Sequence, residues 1–404
     1  MSRINDLIKE MCPNGVIYKK YGDVFEIKTG KGITTKEATD DGLYLIISGG
    51  TRPMGYYHSY NRDENVVTVS RVGANAGYVN FITEKFYLND KCFSIIPKDE
   101  FVECFIPKYI YHYTKNIENK IMELQSEGGV PTINTQKVSN LLIPMLPIDI
   151  QLEIITILDK FGELEAELEA ELEVRKIQYE FWRGNLINVD AQKYKLNEIA
   201  NIYDGTHSTP NYQLSGVPFI SVENINDIYN SNKFISKEDY DKYKIKPIIN
   251  DVFMTRIGSI GKCAVFEKQV DLAYYVSLAL IRPNNNIISS RYLKYYLESR
   301  IGRDELYKKT LTHAVPIKIN KDDIGKIKVI VLSKEEQRRI VDILDKFDAL
   351  VNDITDGIPA EIELRRQQYE YYRNKLLSFE ELKNEWYFIF NYWWISKWYN
   401  KYLS

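Results

Sequence analysis

At 404 residues the chain is too long for one typical core and calls for two or more domains. Charged residues make up 27% and the formal net charge is −3, which suits a soluble globular protein. The same balance argues against a chain that grips nucleic acid tightly by its own positive charge. Cys12, Cys92, Cys104 and Cys263 form no Cys-x-x-Cys pair, so neither a zinc knuckle nor a disulfide framework is indicated. The stretch after Met1 lacks the apolar core of a signal peptide, and the expected location is the cytoplasm.

Residues 1–16 predict a short lead-in helix, ended by Pro13-Asn14-Gly15. From 17 to 147 the pattern is mixed. Leu43 to Ile47, Val66 to Ser70 and Cys92 to Ile96 are short β-rich runs bounded by Gly, Asn and Asp. Pro107 opens a helical stretch to about Leu124, and Gly128-Gly129-Val130-Pro131 breaks it. Residues 148–190 carry one long helix of about 60 Å. Its Glu163–Glu173 stretch repeats Glu-Leu-Glu-Ala and is expected to be a solvated helix face.

The pattern then restarts. Residues 191–332 form a second mixed segment, and 333–379 a second long helix that Gly357-Ile358-Pro359 should kink or break. The repeat is explicit about 186 residues on. Gln151 is answered by Gln337, and Ile157-Leu158-Asp159-Lys160-Phe161 by Ile343-Leu344-Asp345-Lys346-Phe347. Ile154, Ile157, Phe161, Leu164 and Leu168 recur as Ile340, Ile343, Phe347, Leu350 and Ile354, the spacing of a coiled-coil seam. Ser70-Arg71-Val72-Gly73 corresponds to Thr255-Arg256-Ile257-Gly258, and Val130-Pro131 to Val315-Pro316. Beyond Pro359 the offset grows by four, so that Tyr179 matches Tyr369 and Leu186 matches Leu376, a coiled-coil stutter. Residues 380–404 have no counterpart. This aromatic tail holds Trp386, Trp393, Trp394 and Trp398, and is too short and polar for a membrane span.

No phosphate-cradling Gly-x-x-x-x-Gly-Lys-[Ser/Thr], His-Glu-x-x-His or Gly-x-Ser-x-Gly occurs, and the four histidines are scattered. No catalytic residue and no metal site is expected. Polar loops stand out instead. Lys31 lies in Gly30–Lys36, Arg52 follows Ser48-Gly49-Gly50-Thr51, and Asn75 sits in Gly73–Gly77. The second half offers Thr206, His207 and Asn211 in Asp204–Asn211, and Ser259 after Gly258. Such side chains grip phosphates and read base edges. Arg71 and Arg256, each after a β-rich run and before a glycine, are the leading candidates. The plain alternatives are solvated turns and, for the arginines, a strand-end ion pair with a carboxylate.

The order of variable segment, long helix, variable segment, long helix resembles the specificity subunit of type I restriction–modification enzymes. The likeness rests on the doubled Gln-x-x-Ile-x-x-Ile-Leu-Asp-Lys-Phe-like helix starts and the doubled Gln-Tyr-Glu-aromatic-aromatic-Arg ends at Gln178–Arg183 and Gln368–Arg373. It covers residues 17 to about 378. The resemblance implies an α+β fold: two pseudo-twofold-related target-recognition domains, separated by two long helices in an antiparallel coiled coil. It implies that each domain reads one half of a bipartite site in double-stranded DNA, while the helices set the gap and dock two methylation subunits. Motor and nuclease subunits can join. S-adenosylmethionine, ATP and Mg belong to those partners, and this chain needs no cofactor. Two alternatives stay open: the specificity subunit of a stand-alone or fused cut-and-modify methyltransferase system, and a coiled-coil scaffold with no DNA role.

Overall fold

The computed structural model describes residues 2–382 except 127 and 354. The aromatic tail from 383 on, with its tryptophans, and the seam residue Ile354 therefore lie outside the described residues. The chain divides into two compact units. One comprises residues up to Glu167 together with those from Glu363 on; the other runs from Leu168 to Ile362.

In the first unit, α1 (Ser2–Met11) precedes β1 (Ile17–Lys20), β2 (Phe25–Thr29), β3 (Tyr44–Ile47), β4 (Tyr56–Tyr57), β5 (Val66–Ser70), β6 (Val79–Ile82), β7 (Phe86–Leu88) and β8 (Cys92–Pro97). Then come α2 (Pro107–Asn116), β9 (Leu142–Met145) and the 40-residue α3 (Ile148–Ile187). An antiparallel sheet has the order β2-β8-β5-β6, a mixed one β4-β3-β7, and β1 pairs with β9. The β1–β9 pair ties the start of the mixed segment to the residues that enter α3.

The second unit repeats this plan strand for strand. It holds β10 (Lys193–Lys195), β11 (Ala200–Asp204), β12 (Val217–Ile220), β13 (Phe234–Ile235), β14 (Val252–Thr255), β15 (Cys263–Val265), β16 (Ala273–Tyr274), β17 (Leu278–Pro283), α4 (Ser290–Glu298) and β18 (Lys328–Ile330). The sheets are β11-β17-β14-β15, β13-β12-β16 and β10-β18. The second long helix is two: α5 (Lys334–Asn352) and α6 (Ile358–Leu376). The break forms because the Asp353 carboxylate accepts from the Thr355 and Asp356 amides. A Cβ at Gly357 would also lie 2.6 Å from the Ala349 carbonyl, so only glycine fits there.

The doubled helix signature has a physical role. Ile150, Ile154 and Leu158 lie in the first core with Val67, Phe93, Tyr109 and Ile143. Ile340, Val341 and Leu344 do the same in the second, with Met254, Ile281, Tyr292 and Val329. Each start of a long helix is thus first a docking segment for its own unit. Gln151 is fully buried; its amide donates to the Cys104 and Leu146 carbonyls, and its oxygen accepts from the Ile106 amide. Gln337 bonds the Ile287 and Leu332 carbonyls and the Ser289 amide in the same way.

The Asp of the signature clamps the neighbouring short helix. Asp159 meets Lys108 at 2.6 Å and His112 at 3.0 Å, both on α2. Asp345 accepts from the Tyr295 hydroxyl at 2.6 Å and pairs with Arg291, both on α4. The Phe meets the aromatic signature of a helix end. Phe161 packs on Tyr369 and Tyr372 in the first unit, where Glu165 also pairs with Arg366 at 2.6 Å. As α3 advances from 161 to 165 its partners on α6 step back, so the two segments run antiparallel. In the second unit Phe347 stacks on Tyr179, whose hydroxyl donates to Asp348. The seam itself is thin: Leu164 and Leu168 are half-buried, and Leu350 is exposed.

His112 is buried, and burial holds its pKa below the ordinary histidine value. Lys108 and Arg373 push the same way, and Asp159 opposes them. Its Nδ1 is buried without a partner. Protonation there would bury a charge, whereas the unfolded chain takes the proton freely below about pH 6.5. Neutral His112 therefore stabilises the first unit above that pH, and its contribution is lost as the pH falls. Thermal melts between pH 7.5 and 5.5 should show this loss, and His112→Gln should flatten the slope. An unchanged slope in the variant would exclude His112 as the source.

Candidate nucleic-acid interface

In the first unit the turn between β7 and β8 gathers the polar loops. Asn89, 1% exposed, accepts the Lys91 amide and donates to the Ile33 carbonyl at 2.9 Å. Gly30 and Lys31 follow β2 and donate their amides to Cys92 O and Leu88 O. A Cβ at Gly30 would lie 2.2 Å from the Leu88 carbonyl, so glycine is required by close approach. The Arg71 amide donates to Lys91 O at 2.8 Å, and its Nη1 reaches Asp90 O at 3.4 Å. Asn75, on the β5–β6 hairpin tip, donates to Gly49 O at 3.4 Å. A third segment closes the platform: Gly73 donates to Pro131 O and Ile133 to Arg71 O. Lys31, Arg71 and Asn75 therefore lie around one turn. Arg52 stands exposed on the loop after Gly49-Gly50.

The second unit builds the platform with the same backbone bonds. Thr206 donates its amide to Tyr274 O at 3.1 Å, as Lys31 does to Leu88 O. A Cβ at Gly205 would lie 2.5 Å from Tyr275 O. The Arg256 amide donates to Ser277 O, Gly258 to Ile317 O and Ile319 to Arg256 O. These bonds match Pro131 with Ile317, so the true correspondence lies one residue beyond the Val315-Pro316 match read from the sequence. Thr206 and Arg256 are gathered here, and Ser259 is exposed on the same hairpin tip. His207 and Asn211 are exposed on the following loop, where the Thr206 hydroxyl bonds Ser208.

The two arginines differ in their surroundings. Arg256 is 7% exposed and forms an ion pair with Asp204, the last residue of β11. That is the strand-end pairing held open from the sequence. The matching position in the first unit is Thr29: it stands opposite Phe93 in the β2–β8 register, as Asp204 stands opposite Ala279. Among the described residues no carboxylate lies within ion-pair distance of Arg71. Asp204, Asn89 and Ser277 were not picked out from the sequence. Asn89 and Asp204 left no signal in the repeat: the 186-residue offset puts Tyr275 opposite Asn89, and the residue matching Asp204 is Thr29.

The sequence matches the model of the type I restriction modification DNA specificity domain twice, over residues 13–174 and 188–364. It is 32% identical over 287 residues to the type I restriction enzyme EcoR124I/EcoR124II specificity subunit of Escherichia coli, covering 67% of this chain and 70% of that one. A putative type I restriction enzyme specificity subunit of Haemophilus influenzae is 26% identical over 351 residues, or 82% and 87% of the two chains. Among solved structures, the S subunit of a type I restriction–modification system from M. genitalium aligns over 89% of this chain and 96% of its own, with a TM-score of 0.56 and 17% identity. A chain from a structural study of complex assembly and conformational transition in the type I system covers 90% and 98%, with a TM-score of 0.63 and 16% identity. The doubled platform and the doubled helix signatures are thus one domain written twice, and the chain belongs to the type I restriction–modification DNA specificity family.

Proposed function

We propose that this chain is the non-catalytic, sequence-specific DNA-recognition subunit of a cytoplasmic type I restriction–modification system. Each unit reads one half of a bipartite site in double-stranded DNA through its loop platform. The observation that carries this reading is the platform itself, built twice with the same backbone bonds from loops of unlike sequence. A constant scaffold under variable side chains is what two different half-sites require.

Methylation subunits dock on the long helices and supply S-adenosylmethionine chemistry; motor and nuclease subunits bring ATP and Mg. Exposed apolar side chains support the docking. Val174, Ile177 and Phe181 recur at helical spacing on α3, with Ile177 71% and Phe181 60% exposed. At matching places on α6 stand Leu364 and Tyr371, the latter 60% exposed. Two like surfaces suit two copies of one partner. The chain's net charge of −3 also fits a reader that relies on partners for part of its DNA affinity.

Replacing residues 191–332 with the matching segment of another family member tests the assignment. Methylome sequencing of cells carrying the chimera and its methylation subunit should report one changed half-site and one retained. A change in both halves would overturn the assignment of one unit to one half.

A further inference from the structure

We propose that the two units use their matched arginine in opposite ways: Arg71 contacts DNA, whereas Arg256 is a positioning residue committed to Asp204. The inference rests on the DNA-recognition reading above and adds which of two equivalent residues acts on the ligand.

The equivalence comes from the backbone. Ser70 and Thr255 end β5 and β14 opposite Cys92 and Leu278, and the next residue in each unit is the arginine. Each arginine amide donates to the turn after β7 or β16, and each arginine carbonyl accepts from the third segment of the platform. Each Nε is buried without a partner. The guanidinium ends differ. Arg256 is buried and neutralised by Asp204, so it carries no free charge to offer a phosphate. Arg71 is half-buried; among the described residues its one side-chain bond runs to a backbone carbonyl at 3.4 Å, long for a guanidinium donor. A planar, always-charged fork with its donors barely used is suited to a phosphate or a guanine edge. Thr29, where the other unit has Asp204, leaves that fork unneutralised.

The test uses the complex of this chain with its methylation subunit. The probes are a duplex carrying the motif found by methylome sequencing and a scrambled duplex. Arg71→Ala should weaken binding to the motif roughly tenfold, with the chain's thermal melt unchanged. A phosphate contact would lower the slope of log affinity against log salt by about one. A base contact would relax one position of the motif, and Arg71→Lys would restore the salt slope without restoring that position. Arg256 is tested together with its partner, so that no carboxylate is left bare beside DNA. Arg256→Met with Asp204→Leu replaces the pair by apolar side chains, a change that folded proteins often accept. This double variant removes a neutralised pair and no free charge. Whatever it does to affinity through the platform's shape, it should keep the wild-type salt slope and relax no position of the motif. An equal fall in salt slope or equal relaxation of the motif in Arg71→Ala and in the double variant, or no loss in Arg71→Ala, would overturn the inference. A wild-type complex that does not distinguish motif from scrambled duplex would instead overturn the DNA-recognition reading.

Discussion

Gln151→Ala should cost the first unit about 3 kcal/mol or more, one of the largest losses any single substitution outside the aromatic core would cause. The side chain is fully buried and all three of its hydrogen bonds go to backbone groups of segments that meet there. Alanine leaves two carbonyls and one amide without partners, at about 1–3 kcal/mol each where water cannot reach them. It also leaves a cavity where the Gln methylenes packed. The loss lies at the joint between the recognition unit and the start of α3, so local unfolding should spread into that helix. Gln337→Ala should do the same in the second unit, because its three bonds are equivalent. Gln151→Glu is the discriminating control. It keeps the shape and the acceptor but loses both donated bonds and buries a charge, and should be no milder than alanine. Urea unfolding followed by circular dichroism measures all three. A loss under about 1 kcal/mol in Gln151→Ala would mean that the joint is held by its apolar neighbours alone.

Those residues show what the sequence could and could not reveal. The 186-residue repeat was legible because Gln151, Ile154, Leu158, Asp159 and Phe161 each have a fixed partner, and the second unit requires the same set. Central strands were legible too. The runs at 43–47, 66–70 and 92–96 became Tyr44–Ile47, Val66–Ser70 and Cys92–Pro97, since central strands that are buried over much of their length are written as apolar runs. Strands such as Phe25–Thr29 and Phe86–Leu88 were not: they are short, with mixed exposure, and pairing rather than pattern fixes them. Gly357-Ile358-Pro359 announced a break, but not that Asp353 would cap it. At the platform, the loops and both arginines were legible as polar turns beside strands. Which arginine had a carboxylate at hand was not. That depends on whether the end of a strand far away in sequence carries Asp204 or Thr29, and only the register brings that residue to the hairpin.

Deleting Glu167–Ala170, one Glu-Leu-Glu-Ala unit of α3, should retain both half-sites of the methylated motif and change the spacer between them. Four residues are about 6 Å of helix, nearly two base-pair steps of duplex at roughly 3.4 Å each. They turn the helix by only about 40° beyond a full turn, so the apolar stripe keeps nearly the same face. The stretch is suited to such a change, because between Leu158 and Tyr179 α3 has no buried side chain. Phe161 and its ring contacts lie outside the deleted unit, and half-buried Leu164 and Leu168 and the Glu165–Arg366 pair sit in near-identical repeats, so a neighbouring repeat can take the place of the one removed. Deletion of two residues instead would turn the stripe by about 200° and should abolish function. Inserting a further Glu-Leu-Glu-Ala should shift the spacer the other way by the same step. Methylome sequencing of the three variants, each with its methylation subunit, reads the result directly. The four-residue variants should lose methylation at the original motif and gain it at one of altered spacing. An active four-residue variant that still methylates the original spacing would show that the length of these helices does not set the gap.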